Sequence, residues 1–349
     1  MRLLDKVASC QMPLRLVLDR RPEVLFEVTG PSTYASQVAA CPLRFVLGDD
    51  ITRASAELAF ADGAQLADCL DLLRIPASLM WVEWNDEMHQ KVIHATGSVV
   101  DFDAAAPGRH VGVLLRASAD GQRALARTFW VHTAAAESAD VVLSPLETHI
   151  DLGGGFAEAA EIDGILAGGL AGITDPANPA MASLLDHVRF RFDDTWSAFY
   201  RAAATNPEAQ RHVVYESLAA VARDVPLLLA FFLLLSAKEA TRSIPISRVA
   251  INRKRRELGR LALLDHVEVR ASLDAVQEPA RAVEVDGRQS PRLHHVRGHL
   301  VRRDNRVFWR TPHLRGSASR GMVRSRTVCL SFARPHEARA RVSESKRPF

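Results

Sequence analysis

The chain is poor in the features by which folds and activities are usually recognised. It has four cysteines in 349 residues (Cys10, Cys41, Cys69 and Cys329), with no CxxC pair and no close histidine partner. That usage argues against a disulfide framework or a zinc ribbon and points to a reducing compartment. Aromatic residues are sparse, at 6%. The longest apolar run, Val225–Ala237 (VPLLLAFFLLLSA), has 13 residues, against roughly 20 for a helix that crosses a bilayer. It predicts a core helix apolar on every side, with no membrane anchor. The first residues, MRLLDKVASCQMPLRLVLDRRP, are too charged for a signal peptide, so a cytoplasmic location is expected. The glycine-rich stretches Asp151–Phe156 (DLGGGF) and Ile165–Gly172 (ILAGGLAG) lack both GxGxxG spacing and the GK[ST] of a P-loop. No cofactor is expected.

Two things are present in quantity. Apolar content of 48% with 24% charged residues suits a globular protein able to bury a core, and the length suits two or three domains. Charge is divided unevenly. Arg242–Phe349 holds 25 Lys+Arg against 10 Asp+Glu, a net of +15, whereas Met1–Thr241 holds 19 against 31, a net of −12. Such a split points to a polyanionic partner for the basic part, or to acidic–basic contacts within one chain or between copies.

Periodicity gives a coarse fold. Residues 13–30 read as two strands around the turn DRRPE, and Ser55–Leu73 as a helix weakened at Gly63 and ended by Pro76. In SLMWVEWNDE, a strand would put Trp81 and Glu83 on one face and Val82 and Trp84 on the other. Residues 91–145 (KVIHATGSVVDF, HVGVLLRAS, ARTFWVHT, DVVLSP) predict an antiparallel meander. Residues 180–241 read as helical, with Phe190, Phe192, Trp196, Phe199 and Tyr200 as a stripe and Asn206–Pro207 opening a further helix. The expected class is α+β. An antiparallel domain (1–150) with one packed helix precedes a glycine-rich connector (151–178) and a helical region (179–260). A basic β-rich module (261–333) and a basic tail (334–349) complete the chain.

Candidate chemistry gathers in Ser290–Gly316 (SPRLHHVRGHLVRRDNRVFWRTPHLRG), which holds four histidines, seven arginines, Trp309 and one acid, Asp304. The segment predicts a hairpin turning at RRDN. Leu293–Val301 as one strand places His295, Arg297 and His299 on a common face, opposite Arg306, Phe308 and Arg310. Upstream, Arg253, Lys254, Arg255, Arg256 and Arg260 form a basic cluster before Gly259-type helix termination.

The order of these features resembles a poorly characterised group of phage- and mobile-element-associated bacterial proteins without a settled activity. The resemblance rests on an apolar helix followed by Asn252, Arg253, Arg255, Gly259, Leu264, Asp265 and His266. It continues through Ser290, Pro291, Arg292, His294, Arg297, Gly298, His299, Trp309, His313, Arg315 and Gly316, with Trp81–Trp84 fitting the same group. It covers about a third of the chain and implies a mobile-genetic setting. Where that group carries Gly-Lys-Pro-Pro, this chain has Gly259-Arg260-Leu261-Ala262, so no proline-fixed turn is expected.

Three functional readings follow. In the first, nucleic acid is bound through Arg253, Lys254, Arg255, Arg256, His295, Arg297, His299, Arg302, Arg303, Arg306, Arg310, His313 and Arg315, with Trp309 or Phe308 stacking a base. In the second, His299 as base, His313 or His295 as acid and Arg297 as stabiliser cleave a phosphodiester without metal. In the third, the basic module pairs with the acidic part and has no catalytic role. Histidines 295, 299 and 313 lie among arginines that would repel a divalent ion, so no metal site is assigned. An enzyme built on Glu83, His89, His94 and His110 lacks any motif spacing.

Overall fold

The structure is a computed structural model. It describes residues 2–9, 14–18, 21–28, 31–61, 63–96, 108–132, 141–154, 187–193, 218, 221–238, 240–272, 292–296, 299–303, 306–310, 313–315 and 317–322. The chain forms two compact units, one of Met1–Ala275 with Gly298–Thr311, the other of Val276–Arg297 with Pro312–Phe349.

The larger unit is a mixed α/β structure built on a ten-stranded sheet. Its strands are β1 (Leu14–Leu18), β2 (Arg21–Val28), β3 (Leu43–Leu47), β4 (Leu79–Asn85), β5 (Arg109–Ala117), β6 (Arg123–His132), β7 (Val142–Asp151), β8 (Val188–Phe192), β9 (Thr241–Ile246) and β10 (His266–Ala271). The order is β2-β1-β7-β6-β5-β4-β3-β10-β9, with β8 pairing β7 off this path. The expected meander is found as β5-β6-β7, all antiparallel. The sheet as a whole is mixed, because β4, β3 and β10 run parallel to one another. A parallel β3–β4 pair needs a crossover, and it is made by α3 (Asp49–Phe60), α4 (Gly63–Ala67) and a 3-10 turn (Leu70–Leu72). The break between α3 and α4 falls just before Gly63.

Helices cover both faces of the sheet. Helix α1 (Leu3–Ala8) and α2 (Pro31–Ala40) lie on the face of Trp81 and Glu83. The helix α6 (Asp224–Ser236) lies on the other, where Phe231 meets Phe45 edge-on at 5.7 Å. Asp224–Leu234 of α6 is buried throughout, as a helix without a polar stripe requires. Among the described residues no helix is long and apolar enough to cross a membrane.

Two sequence readings change here. Lys91–Thr96 belongs not to a strand but to α5 (Glu87–Thr96). It buries His89, Val92 and Ile93 at helical spacing. Phe190 and Phe192 are not a helical stripe but alternate residues of β8, both buried with Val188. Trp196, Phe199, Tyr200, Asn206, Pro207 and residues 334–349 lie outside the described residues, as do 155–178 of the connector.

Between β9 and β10 the chain forms α7 (Val249–Glu257). The hairpin of β12 (His299–Arg303) and β13 (Arg306–Arg310) also belongs to this unit. The smaller unit contains β11 (Arg292–Val296), antiparallel to β14 (His313–Arg315) and parallel to β15 (Ser317–Met322).

Candidate functional site

The expected hairpin exists, with Arg303 opposite Arg306, but it is not one pair of long strands. Strand β11 ends at Val296 and β12 begins at His299. His299 pairs with Arg310 in the larger unit, whereas His295 pairs with Leu314 and His313 with Val296 in the smaller one. Arg297 lies outside the described residues, and Arg315 is exposed on β14.

The two faces of β12–β13 differ. Leu300, Val307 and Trp309 face the hydrophobic core, so Trp309 is a packing residue rather than an open stacking platform. Arg302, on the same face, grips Asp71 through two contacts of 2.9 and 2.7 Å and donates to the Asp68 carbonyl at 2.7 Å. The hydrogen bonds from Arg302 hold the Asp71 carboxyl below its ordinary value. The opposite face carries Phe308, half-buried, with Arg303, Arg306 and Arg310 exposed.

Helix α7 is the more unusual element. None of its residues is buried, although a nine-residue helix is marginal by itself in water. It is held from one side only. The Asn252 amide accepts from the Leu263 N–H and donates to the Leu263 carbonyl, both at 2.8 Å. Arg255 Nε donates to the Leu261 carbonyl at 2.7 Å. The Asp265 carboxylate accepts from the Arg248 N–H at the helix start, and the Leu264 N–H donates to Asp5 at 2.8 Å. Gly259, at φ +63°, reverses the chain where a side chain would be strained. Asn252, Arg255, Gly259 and Asp265 thus fix the helix in place. Arg253, Lys254, Arg256 and Arg260 remain exposed.

A buried charge network escaped the sequence reading. Asp86 follows β4, His89 lies one turn into α5, Arg109 opens β5 and Asp224 lies in the first turn of α6. Arg109 donates to Asp86 at 3.1 Å and to Asp224 at 3.1 and 3.5 Å, and its guanidinium lies 5.3 Å from the Trp130 ring centroid. Asp86 also accepts from Trp84 Nε1 at 3.3 Å and Gln90 Nε2 at 2.8 Å, and contacts His89 Nδ1 at 2.8 Å. Burial opposes ionisation of Asp86, but Arg109, His89 and Gln90 together outweigh it and hold its carboxyl far below the usual range. Asp224 is less well compensated, and burial pushes it up to about 6. Asp86, His89 and Asp224 are near enough to share an ion, but the Arg109 guanidinium already bonds both carboxylates. The trio is therefore read as a structural network. One signal was available: a lone acid immediately before the most apolar run of the chain must find a partner inside.

The N-terminal residues do not assemble into a catalytic set. Both oxygens of Glu83 are occupied, by the N–H groups of Leu3 at 3.1 Å and Leu4 at 2.8 Å and by Trp81 Nε1 at 3.2 Å. Glu83 thus caps α1, and burial raises its pKa against those hydrogen bonds. Glu83 and half-buried His110 line a pocket of about 270 Å³, His89 belongs to the buried network, and His94 is exposed. No family model, curated protein or solved structure matches the chain.

Proposed function

We propose that the protein binds nucleic acid through α7 and the outer face of β12–β13. The observation that carries this reading is α7 itself: a helix without a buried residue, fixed from one side and holding Arg253, Lys254 and Arg256 in solvent with Arg260 just beyond. The helix adds no buried residue to the core, and four exposed cations, of which Arg253 alone has a described acidic partner, select a polyanion. Arg303, Arg306 and Arg310 around Phe308 supply a second basic patch with a ring suited to stacking. The mobile-element setting implied by the sequence resemblance is compatible with such an activity and is proposed with it.

A second reading has one observation in its favour. Arg302 does pair with the acidic part, at Asp71. That contact uses one arginine, and the outward cations of α7 and β13 make no comparable pair with a described acid, apart from Arg253 at 3.9 Å from Glu257.

Fluorescence anisotropy on labelled oligonucleotides across a salt series tests the proposal. Binding should weaken steeply with salt, and neutralising Arg253, Lys254 and Arg256 together should reduce the slope of log K against log salt by about 2 to 3. A slope unchanged in that variant and in the Arg303/Arg306/Arg310→Gln variant would remove the basis for the reading.

A further inference from the structure

Resting on the nucleic-acid reading above, we infer that α7 is a recognition helix for the major groove of double-stranded DNA. Phosphate contact alone requires only positive charge on a surface. Helix α7 offers more than that. Ala250, Arg253, Lys254 and Glu257 follow i, i+3, i+4, i+7 spacing, so they form one stripe, and all four are exposed. The stripe points away from Asn252 and Arg255, through which the helix is anchored to the Leu261–Leu263 loop. A projecting helix held only by its back can enter a groove without disturbing the fold.

The side chains of the stripe suit base edges. Arg and Lys donate to the O6 and N7 acceptors of guanine, Glu accepts from the cytosine amino group, and Ala meets the thymine methyl. Glu257 is otherwise hard to place in a phosphate-binding surface, where it would repel. Its contact with Arg253 at 3.9 Å is weak enough to exchange for a base. The shoulders of the stripe are apolar: Val249 is 67% exposed, Ile251 46%, Leu258 58% and, in the following loop, Leu261 56%. These four are the exposed large hydrophobic side chains among the described residues. Phosphate binding gives them nothing to do, whereas sugars and thymine methyls of a groove wall give them apolar contact. Arg256 and Arg260 stand beside them to meet the backbone.

Size and shape select the duplex. Nine residues make a helix roughly 13 Å long, and the major groove of B-form DNA, about 12 Å wide, admits an α-helix. The corresponding groove of A-form RNA is deep and narrow and does not. The charge complementarity is direct, since the helix and its turn carry Arg253, Lys254, Arg255, Arg256 and Arg260 against one acid.

The test compares one sequence pool as duplex DNA, duplex RNA and single-stranded DNA, with the unmodified full chain and anisotropy as readout. Duplex DNA should bind about tenfold more tightly than duplex RNA, and prior methylation of guanine N7, a major-groove atom, should weaken it by about tenfold. The double variant Ile251→Ser, Leu258→Ser should weaken duplex DNA binding while leaving the salt slope unchanged, since no charge is removed. Duplex RNA binding as tightly as duplex DNA, or DNA binding indifferent to N7 methylation, overturns the groove assignment and leaves nucleic-acid binding standing. Failure of every nucleic acid to bind overturns both.

Discussion

Asp224 offers the sharpest test of how the buried network contributes to stability. Its carboxyl, almost wholly buried, is pushed from 3.8 up to about 6, because burial penalises the ion and Arg109 is shared with Asp86. A carboxyl whose folded pKa exceeds its unfolded value favours the folded state when protonated. That contribution is complete below the unfolded pKa and is lost as pH rises through about 6. The full shift corresponds to about 3 kcal/mol, and the part lost between pH 5 and pH 7 to about 1 kcal/mol. Asp224→Asn keeps the size and an acceptor for Arg109 but removes the titration. Urea unfolding of both proteins at several pH values isolates the effect, because groups outside the network cancel in the difference. The variant should gain on the parent by about 1 kcal/mol between pH 5 and pH 7 and not further above pH 7. Parallel stability curves across this range would show that Asp224 does not titrate inside the network, and the account of its shared counter-ion would fall.

Other sites separate packing, conformation and surface charge. Gly112 of β5 lies under Trp81, where an added Cβ would sit 2.2 Å from the ring, so Gly112→Ala should cost about 2 to 3 kcal/mol and alter tryptophan fluorescence. Glu83→Ala removes the acceptor for two α1 N–H groups, and a loss of about 2 kcal/mol in urea unfolding is expected, with early exchange of the Leu3 and Leu4 amides. Gly259→Ala meets a positive φ and should increase hydrogen exchange in α7 with little change in global unfolding, because α7 buries no residue. Arg302→Ala removes an exposed ion pair, and an unaltered melting temperature is expected.

What could be read from the sequence depended on whether the signal was local. The core helix α6, the β12–β13 hairpin and the stop at Gly259 each follow from residues adjacent in the chain, and each was legible. The alternation of Trp81 and Glu83 against Val82 and Trp84 was also legible, because it follows from strand geometry alone, even though β4 is buried on both faces. The parallel alignment of β3 with β10 joins residues more than 200 positions apart, and no local pattern announces it. The strand at Val188–Phe192 was misread because five residues rich in aromatics fit either period. Asp86, His89, Arg109 and Asp224 come from a turn and three separate elements, and only their meeting gives them meaning.

The arginines of the chain are put to two different uses. The fold itself uses several of them. Arg109 neutralises two buried aspartates, and Arg127 reaches Glu147 at 3.2 Å and Asp193 at 2.9 Å. Arg44 and Arg255 are spent on backbone carbonyls. In composition these are indistinguishable from Arg253, Arg256, Arg303, Arg306 and Arg310, which stand in solvent. The two groups differ in what their loss must do. Removing Arg109 leaves two buried carboxylates without their counter-ion, and 3 to 5 kcal/mol is a reasonable expectation for such a charge. Removing Arg306 or Arg310 leaves nothing unsatisfied, so its effect can be felt only by a partner. A scan of arginines read in parallel by melting and by salt-dependent binding should therefore sort into two classes with almost no overlap. Arginines that moved both readouts equally would mean that the basic face and the folded framework are one and the same.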